Sequence, residues 1–160
     1  MAIRAVYGRW FPWLFDLDPE WAVSRIPTIF PREGTLQHLH NAAWEAYLAF
    51  CDVDDTVFEA LGEEYSRAIE HIGIDPSPRR HLDDPEEQLA VHPIALYWRG
   101  KIGLDDAGSP LARFYARATG RLARSAIDVI GRWLCHEQEV VSPELIGRLR
   151  TLWAQRLEAE

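Results

Sequence analysis

The stretch Ala46-Tyr47-Leu48-Ala49-Phe50-Cys51-Asp52-Val53-Asp54-Asp55-Thr56-Val57 admits two readings, and the choice between them decides the fold. Read as a buried strand that delivers two carboxylates at its end, it belongs in a parallel α/β sheet. Read as the last turns of one helix, with Asp54 or Asp55 capping the next, it is a helix junction. Upstream, Leu36, Leu39, Ala43, Tyr47 and Phe50 recur at steps of three and four, with Asn41 and Glu45 inside the run, so the spacing predicts a helix between Thr35 and Cys51. Downstream, Phe58, Leu61, Tyr65, Ile69 and Ile72 repeat the pattern from Asp55 to Ile72, where Gly73 ends it. The junction reading therefore wins.

The rest of the chain agrees. Asp18-Pro19-Glu20, Asp84-Pro85-Glu86-Glu87, Ser109-Pro110 and Ser142-Pro143-Glu144 each set a capping side chain before a proline, and proline at the first helical position presets φ at no hydrogen-bonding cost. Each precedes an apolar pattern, so four helix starts are expected. The last of these helices carries Ile146, Leu149, Trp153 and Leu157 on one face; another, from Gly120 to Cys135, carries Leu122, Ile127, Ile130 and Leu134, with Trp133 widening the arc. Ala2 to Phe15 reads as helix interrupted at Pro12, and Pro93 is expected to kink or end the helix opened at Asp84. Residues 73–84 and 100–108 read as loops. No alternating β-branched run bounded by tight-turn residues exists. The expected fold is all-α: about eight short helices stacked as antiparallel hairpins, solenoid or HEAT-like, in a single α-helical domain over residues 1–160 that is compatible with a piece of a longer helical-repeat protein.

Composition narrows the function classes. A chain of 160 residues that is 48% hydrophobic can bury a core without disulfides or a structural metal. A net charge of -8, concentrated in residues 1–107, argues against a general phosphate-backbone or anionic-membrane binder. Cys51 and Cys135 form no metal- or redox-type pair and read as inert core thiols of a cytoplasmic protein. No charge-free run of about 18 residues is present, so no membrane span is expected.

As chemistry, Asp52-Val53-Asp54-Asp55-Thr56-Val57 resembles the first motif of haloacid dehalogenase-type phosphatases. That likeness implies Asp52 as phosphoryl acceptor, Asp54 as acid/base and a Mg²⁺ ion, with a lysine and an acid pair further on. Lys101, the one lysine, stands four residues before Asp105 and leaves no room for the helix and strand such a site needs, so the capping role is preferred. Glu63 completes an EF-hand spacing from Asp52, but Val57 occupies the obligatory glycine position. His38 and His40 point to different sides of a helix; His71, His81, His92 and His136 lack a ligand partner at metal spacing, and most of them read as surface or loop residues. Ser24, Ser66 and Ser125 lie within helix patterns, and Gly100-Lys101-Ile102-Gly103 lacks the context of a phosphate cradle. No catalytic, cofactor-binding or metal residue is assigned, and no cofactor is expected. Seven tryptophans, at 10, 13, 21, 44, 98, 133 and 153, read mostly as core, with Trp98, beside Tyr97 and Arg99, as the exception suited to a partner. Arg113, Arg117, Arg121 and Arg124 form a basic row, read as ion-paired surface against Asp105, Asp106 and Asp128 rather than as a nucleic-acid contact.

The order of apolar signatures is informative: Phe11-Pro12-Trp13-Leu14, Leu17-Asp18-Pro19-Glu20-Trp21, Ala43-Trp44-Glu45-Ala46-Tyr47-Leu48, then Tyr97-Trp98-Arg99-Gly100-Lys101-Ile102, Ala112-Arg113-Phe114-Tyr115, Ile130-Gly131-Arg132 and Arg148-Leu149-Arg150-Thr151-Leu152-Trp153. This series resembles the α-helical C-terminal region of very large bacterial NTPase-type proteins, some associated with anti-phage defence. The resemblance implies a non-catalytic scaffold for sensing or assembly, packed against a protein partner or the remainder of a larger polypeptide. It carries no site residue, since this chain has no P-loop. The expected function is a helical protein-interaction domain; the alternative is the Mg²⁺-dependent phosphatase using Asp52 and Asp54.

Overall fold

The computed structural model describes residues 2–74, 84–104, 108–136 and 141–158. Among these, all regular structure is helical: α1 (Ala2–Leu17), α2 (Pro19–Ile29), a short 3-10 turn (Gly34–Leu36), α3 (Gln37–Phe50), α4 (Asp55–Ala60), α5 (Gly62–Glu70), α6 (Pro85–Trp98), α7 (Pro110–Arg117), α8 (Gly120–His136) and α9 (Pro143–Glu158). No helix among the described residues is long and apolar enough to cross a membrane. Two compact units emerge: one of Met1–Ala68 with Ser77–Leu89, the other of Ile69–Pro76 with Ala90–Glu160.

All four proline-marked starts open helices. Asp18 accepts from the Trp21 amide at 3.0 Å, Asp84 from the Glu86 amide at 3.0 Å, and the Ser142 hydroxyl from the Leu145 amide at 3.2 Å. Ser109 departs from the expectation: its hydroxyl turns away from α7 and donates to the Gly103 carbonyl at 2.6 Å, so Pro110 opens that helix without a side-chain cap. The expected helix from Asp55 to Ile72 is two, broken at Leu61, although Phe58, Leu61, Tyr65, Ile69 and Ile72 are all buried. Conversely, Pro12 and Pro93 lie inside α1 and α6, which run through them. Each proline removes one rung of the backbone ladder, a loss that tertiary burial of the surrounding turns offsets.

In the first unit, α1 packs on α2 and α3. Its close approach to α3 depends on Gly8, since a Cβ there would lie 1.9 Å from the Ala43 carbonyl oxygen. A relay of rings fills the interior. Phe11 meets Phe30 edge-on at 5.5 Å, Phe30 meets Trp44 at 6.0 Å, Trp44 meets Tyr65 at 5.0 Å, and Tyr65 lies 4.2 Å from Phe58. Each fully buried ring contributes roughly 2–3 kcal/mol of transfer free energy.

In the second unit, α6 ends in a Schellman turn: the Lys101 amide donates to the Leu96 carbonyl at 2.8 Å and the Gly100 amide to the Tyr97 carbonyl at 2.9 Å. Gly100 takes φ +74°, the left-handed conformation the turn requires. Arg148 of α9 completes this helix end, donating to the Trp98 carbonyl at 2.8 Å, while Tyr97 donates to the Arg148 carbonyl at 2.5 Å. The buried face of α9 is Leu145, Leu149 and Leu152: Leu149 is buried as expected and Trp153 is half-buried, but Leu145 and Leu152 take the inner places and Ile146 and Leu157 face solvent.

Candidate functional site

The Asp52–Val57 segment is a helix N-cap. Asp54 Oδ1 accepts from the amides of Thr56 at 2.9 Å and Val57 at 3.1 Å and from the Thr56 hydroxyl at 2.6 Å. Both flanking elements are helices, so Asp52 and Asp54 are not presented at a strand end. Glu63 belongs to α5, beyond the break at Leu61, and the described residues contain no group of three His, Cys, Asp or Glu placed to hold a metal ion.

A polar cluster that the sequence reading did not assemble lies inside the first unit. Glu64 of α5 is buried, with His40 Nε2 at 2.9 Å from one carboxylate oxygen and Arg32 Nε donating to the other at 2.8 Å; Arg32 also pairs with Glu63. Burial opposes ionisation of Glu64, but the hydrogen bonds and charges of His40 and Arg32 outweigh it and hold the carboxyl below the usual carboxylate range. Glu64 in turn keeps the Arg32 guanidinium more firmly charged. This cluster closes one side of a cleft of about 890 Å³, whose wall includes Arg4, Pro27, Thr28, Arg32, Glu59 and Glu63. Arg4 donates to the Thr28 carbonyl, so the cleft's arginines are engaged within the unit. A histidine held by a carboxylate is the arrangement used to orient a general base. Here the imidazole is buried, stacks on Trp44 with a 28° tilt, and sets Nδ1 3.4 Å from Asn41 Oδ1, so both ring nitrogens face protein groups and the pair organises the core. Deeper still, the buried Tyr47 and Tyr65 hydroxyls share a 3.0 Å hydrogen bond, and burial raises the pKa of both.

The basic row divides at Ala118-Thr119, with Arg113 and Arg117 on α7 and Arg121 and Arg124 on α8. Arg113 donates to the Glu70 carboxylate and Arg117 to the Glu70 backbone carbonyl, both at 3.0 Å. The surface ion pair is as expected, but Glu70 is the partner; Asp105 and Asp106 lie outside the described residues, as do residues 75–83 and His81. His92 is buried rather than at the surface. Cys135 is exposed, contrary to the core expectation, whereas Cys51 is half-buried, donates to the Arg9 carbonyl at 3.1 Å, and is pushed up to about 11 by burial.

The tryptophans depart furthest from expectation. Only Trp44 is buried. Trp98 is half-buried and meets Trp133 edge-on at 5.6 Å beside an open hollow of about 360 Å³. On α1, Ile3 is 72% exposed, Val6 55%, Trp10 49%, Trp13 55% and Leu17 64%, with Tyr7 also exposed. The opposite face buries Gly8 and Phe11. The helix is thus apolar on both sides: one faces α3 and the other forms a row about 21 Å long, at 1.5 Å rise per residue, left to solvent. Arg9 flanks the row, its guanidinium 6.0 Å from the Trp10 ring and 5.1 Å from that of Phe50, another exposed ring.

The sequence matches no protein-family model, no curated protein and no solved structure.

Proposed function

We propose that this chain is a non-catalytic helical interaction domain that docks an apolar, helix-presenting protein surface through the open face of α1. The observation that carries this is the unbroken apolar row from Ile3 to Leu17 on a helix whose other face is fixed to α3. Soluble chains rarely leave contiguous apolar patches above a few hundred Å² uncovered unless something binds there. Two tryptophans at the middle of the row supply the large, rigid anchors that dominate interface energetics.

The resemblance to the C-terminal helical region of very large bacterial NTPase-type proteins supports the same role. In that setting the helices of each unit act as stacked antiparallel hairpins of a solenoid scaffold in the bacterial cytoplasm, serving assembly or sensing, and the docked surface belongs to a protein partner or to the rest of a longer polypeptide. Incorporating a photo-crosslinking amino acid at position 13 in cells tests this. The expected result is a covalent protein adduct with an identifiable attached peptide, well above the yield from Arg150, an exposed position on α9. Adducts no more abundant than that control from positions 6, 10 and 13 alike would overturn the reading.

A further inference from the structure

The exposed row on α1 has the spacing of a helical zipper. Ile3, Val6, Trp10, Trp13 and Leu17 are separated by three, four, three and four residues, the a/d alternation of a heptad with Ile3, Trp10 and Leu17 at a and Val6 and Trp13 at d. All five are about half exposed or more. On one flank, the positions preceding Trp10 and Leu17 hold Arg9 and Asp16, both exposed; on the other flank stand Tyr7 and Leu14.

We propose, building on the interaction role argued above, that the surface covering this face is a second copy of the chain, with the two α1 helices packed antiparallel. Reversing one helix brings each flank against the same flank of its twin. An a residue then faces a d residue: Trp10 of one protomer packs on the partner's Trp13, and Val6 on the partner's Leu17. In the same register Arg9 of each protomer comes beside the partner's Asp16, giving two symmetry-related ion pairs of opposite sign, while the Tyr7 and Leu14 flanks meet as apolar surfaces. A parallel pairing instead sets the Arg9 flank against the partner's Tyr7 and Leu14 flank and gains no charge pair, and it aligns the helix dipoles unfavourably. The pattern is therefore self-complementary for a two-fold antiparallel contact. The area suffices as well: Val6, Trp10, Trp13 and Leu17, each about half exposed or more, with part of Tyr7 and of Ile3 at the end of the contact, amount to roughly 600 Å² per copy and about 1,200 Å² for the pair, the lower end of the range of a standard stable interface.

Sedimentation velocity on the full 160-residue chain over a concentration series decides the point. The expected result is a reversible dimer, with Trp10→Glu monomeric at every concentration and its circular dichroism unchanged, since the side chain is largely outside the core. Arg9→Glu or Asp16→Arg alone raises the dimer dissociation constant about tenfold, and the Arg9→Glu/Asp16→Arg double reversal restores it to within about threefold. A monomeric wild type, a dimer that survives Trp10→Glu, or a double reversal no tighter than the singles overturns the antiparallel homodimer. A monomeric wild type that still crosslinks to another protein from position 13 leaves the interaction role standing and refutes only the identity of the partner.

Discussion

Replacing Gly8 by alanine adds one methyl group at the point where α1 crosses α3. The new Cβ would sit 1.9 Å from the Ala43 carbonyl oxygen, 2.6 Å from its carbonyl carbon and 2.8 Å from its Cα. These are backbone atoms inside a helix, so no rotamer change relieves the clash, and α1 must retreat by about 1.5 Å to reach an ordinary contact of about 3.4 Å. That displacement loosens the packing of Phe11 against Phe30 and opens space along the ring relay. Overpacking of this kind costs about 1–3 kcal/mol, and uncovering roughly 80 Å² of apolar surface as the two helices separate adds about 2 kcal/mol; the better helix propensity of alanine returns about 1 kcal/mol. The expected net loss is about 2–4 kcal/mol, a fall in Tm of about 5–15 °C for a chain of this length. Urea unfolding followed by circular dichroism at 222 nm measures it. Gly147, exposed within α9, where a Cβ would meet nothing within 4 Å, provides the opposite sign: Gly147→Ala should stabilise by about 0.5–1 kcal/mol. A Gly8→Ala variant as stable as wild type would refute the close crossing of α1 on α3.

Two further outcomes follow from buried titratable groups. Because the folded-state pKa of Glu64 is depressed, its contribution to stability is fully present above the unfolded carboxylate value of about 4.3 and is lost as pH falls through the lower folded value. Glu64→Gln should cost about 2–4 kcal/mol at pH 7 by leaving His40 and Arg32 without their anion, and the gap to wild type should narrow on acidification; urea midpoints at pH 7 and pH 3 giving a constant gap would contradict the pairing. Of the two thiols, Cys135 should react rapidly with a disulfide reagent at pH 8, while Cys51, raised to about 11 and thus thiolate in about one molecule per thousand, reacts slowly; two equal fast phases would be inconsistent with its burial.

Where helices start was legible because the signal is local. A capping side chain before proline acts through its own amides and its own ring, and Asp18, Asp84 and Ser142 behave accordingly. Asp54 was legible on the same ground: a cap needs only the next three residues. Burial was harder to read, because which side of an apolar helix faces the core depends on distant neighbours. On α9 Leu149 faces inward as expected but Leu145, not Ile146, is buried beside it, since the two are equally apolar and only packing chooses between them. The polar cluster left a trace that periodicity could have caught. His40 is followed by Ala43, Trp44 and Tyr47, and Glu64 stands three after Leu61 and beside Tyr65, so each intrudes on an apolar face. A polar residue at such a position needs a partner, and these two, 24 positions apart, supply one another.

The same asymmetry explains why α1 was misjudged. Seven tryptophans suggest a large core if each ring is assigned to the interior by its size alone. On α1, Gly8 and Phe11 already provide the face that packs, and the helix can turn only one side inward. The apolar residues on the other side are then surplus to folding, and surplus apolar area held on a rigid, well-anchored helix is a preorganised surface that loses little conformational entropy when covered. Fixing α1 to α3 through Gly8 and presenting Trp10 and Trp13 outward are thus two consequences of one arrangement. The stability of the crossing and the geometry of the docking face should fail together in Gly8→Ala, whereas Trp10→Glu should remove docking and leave the crossing intact.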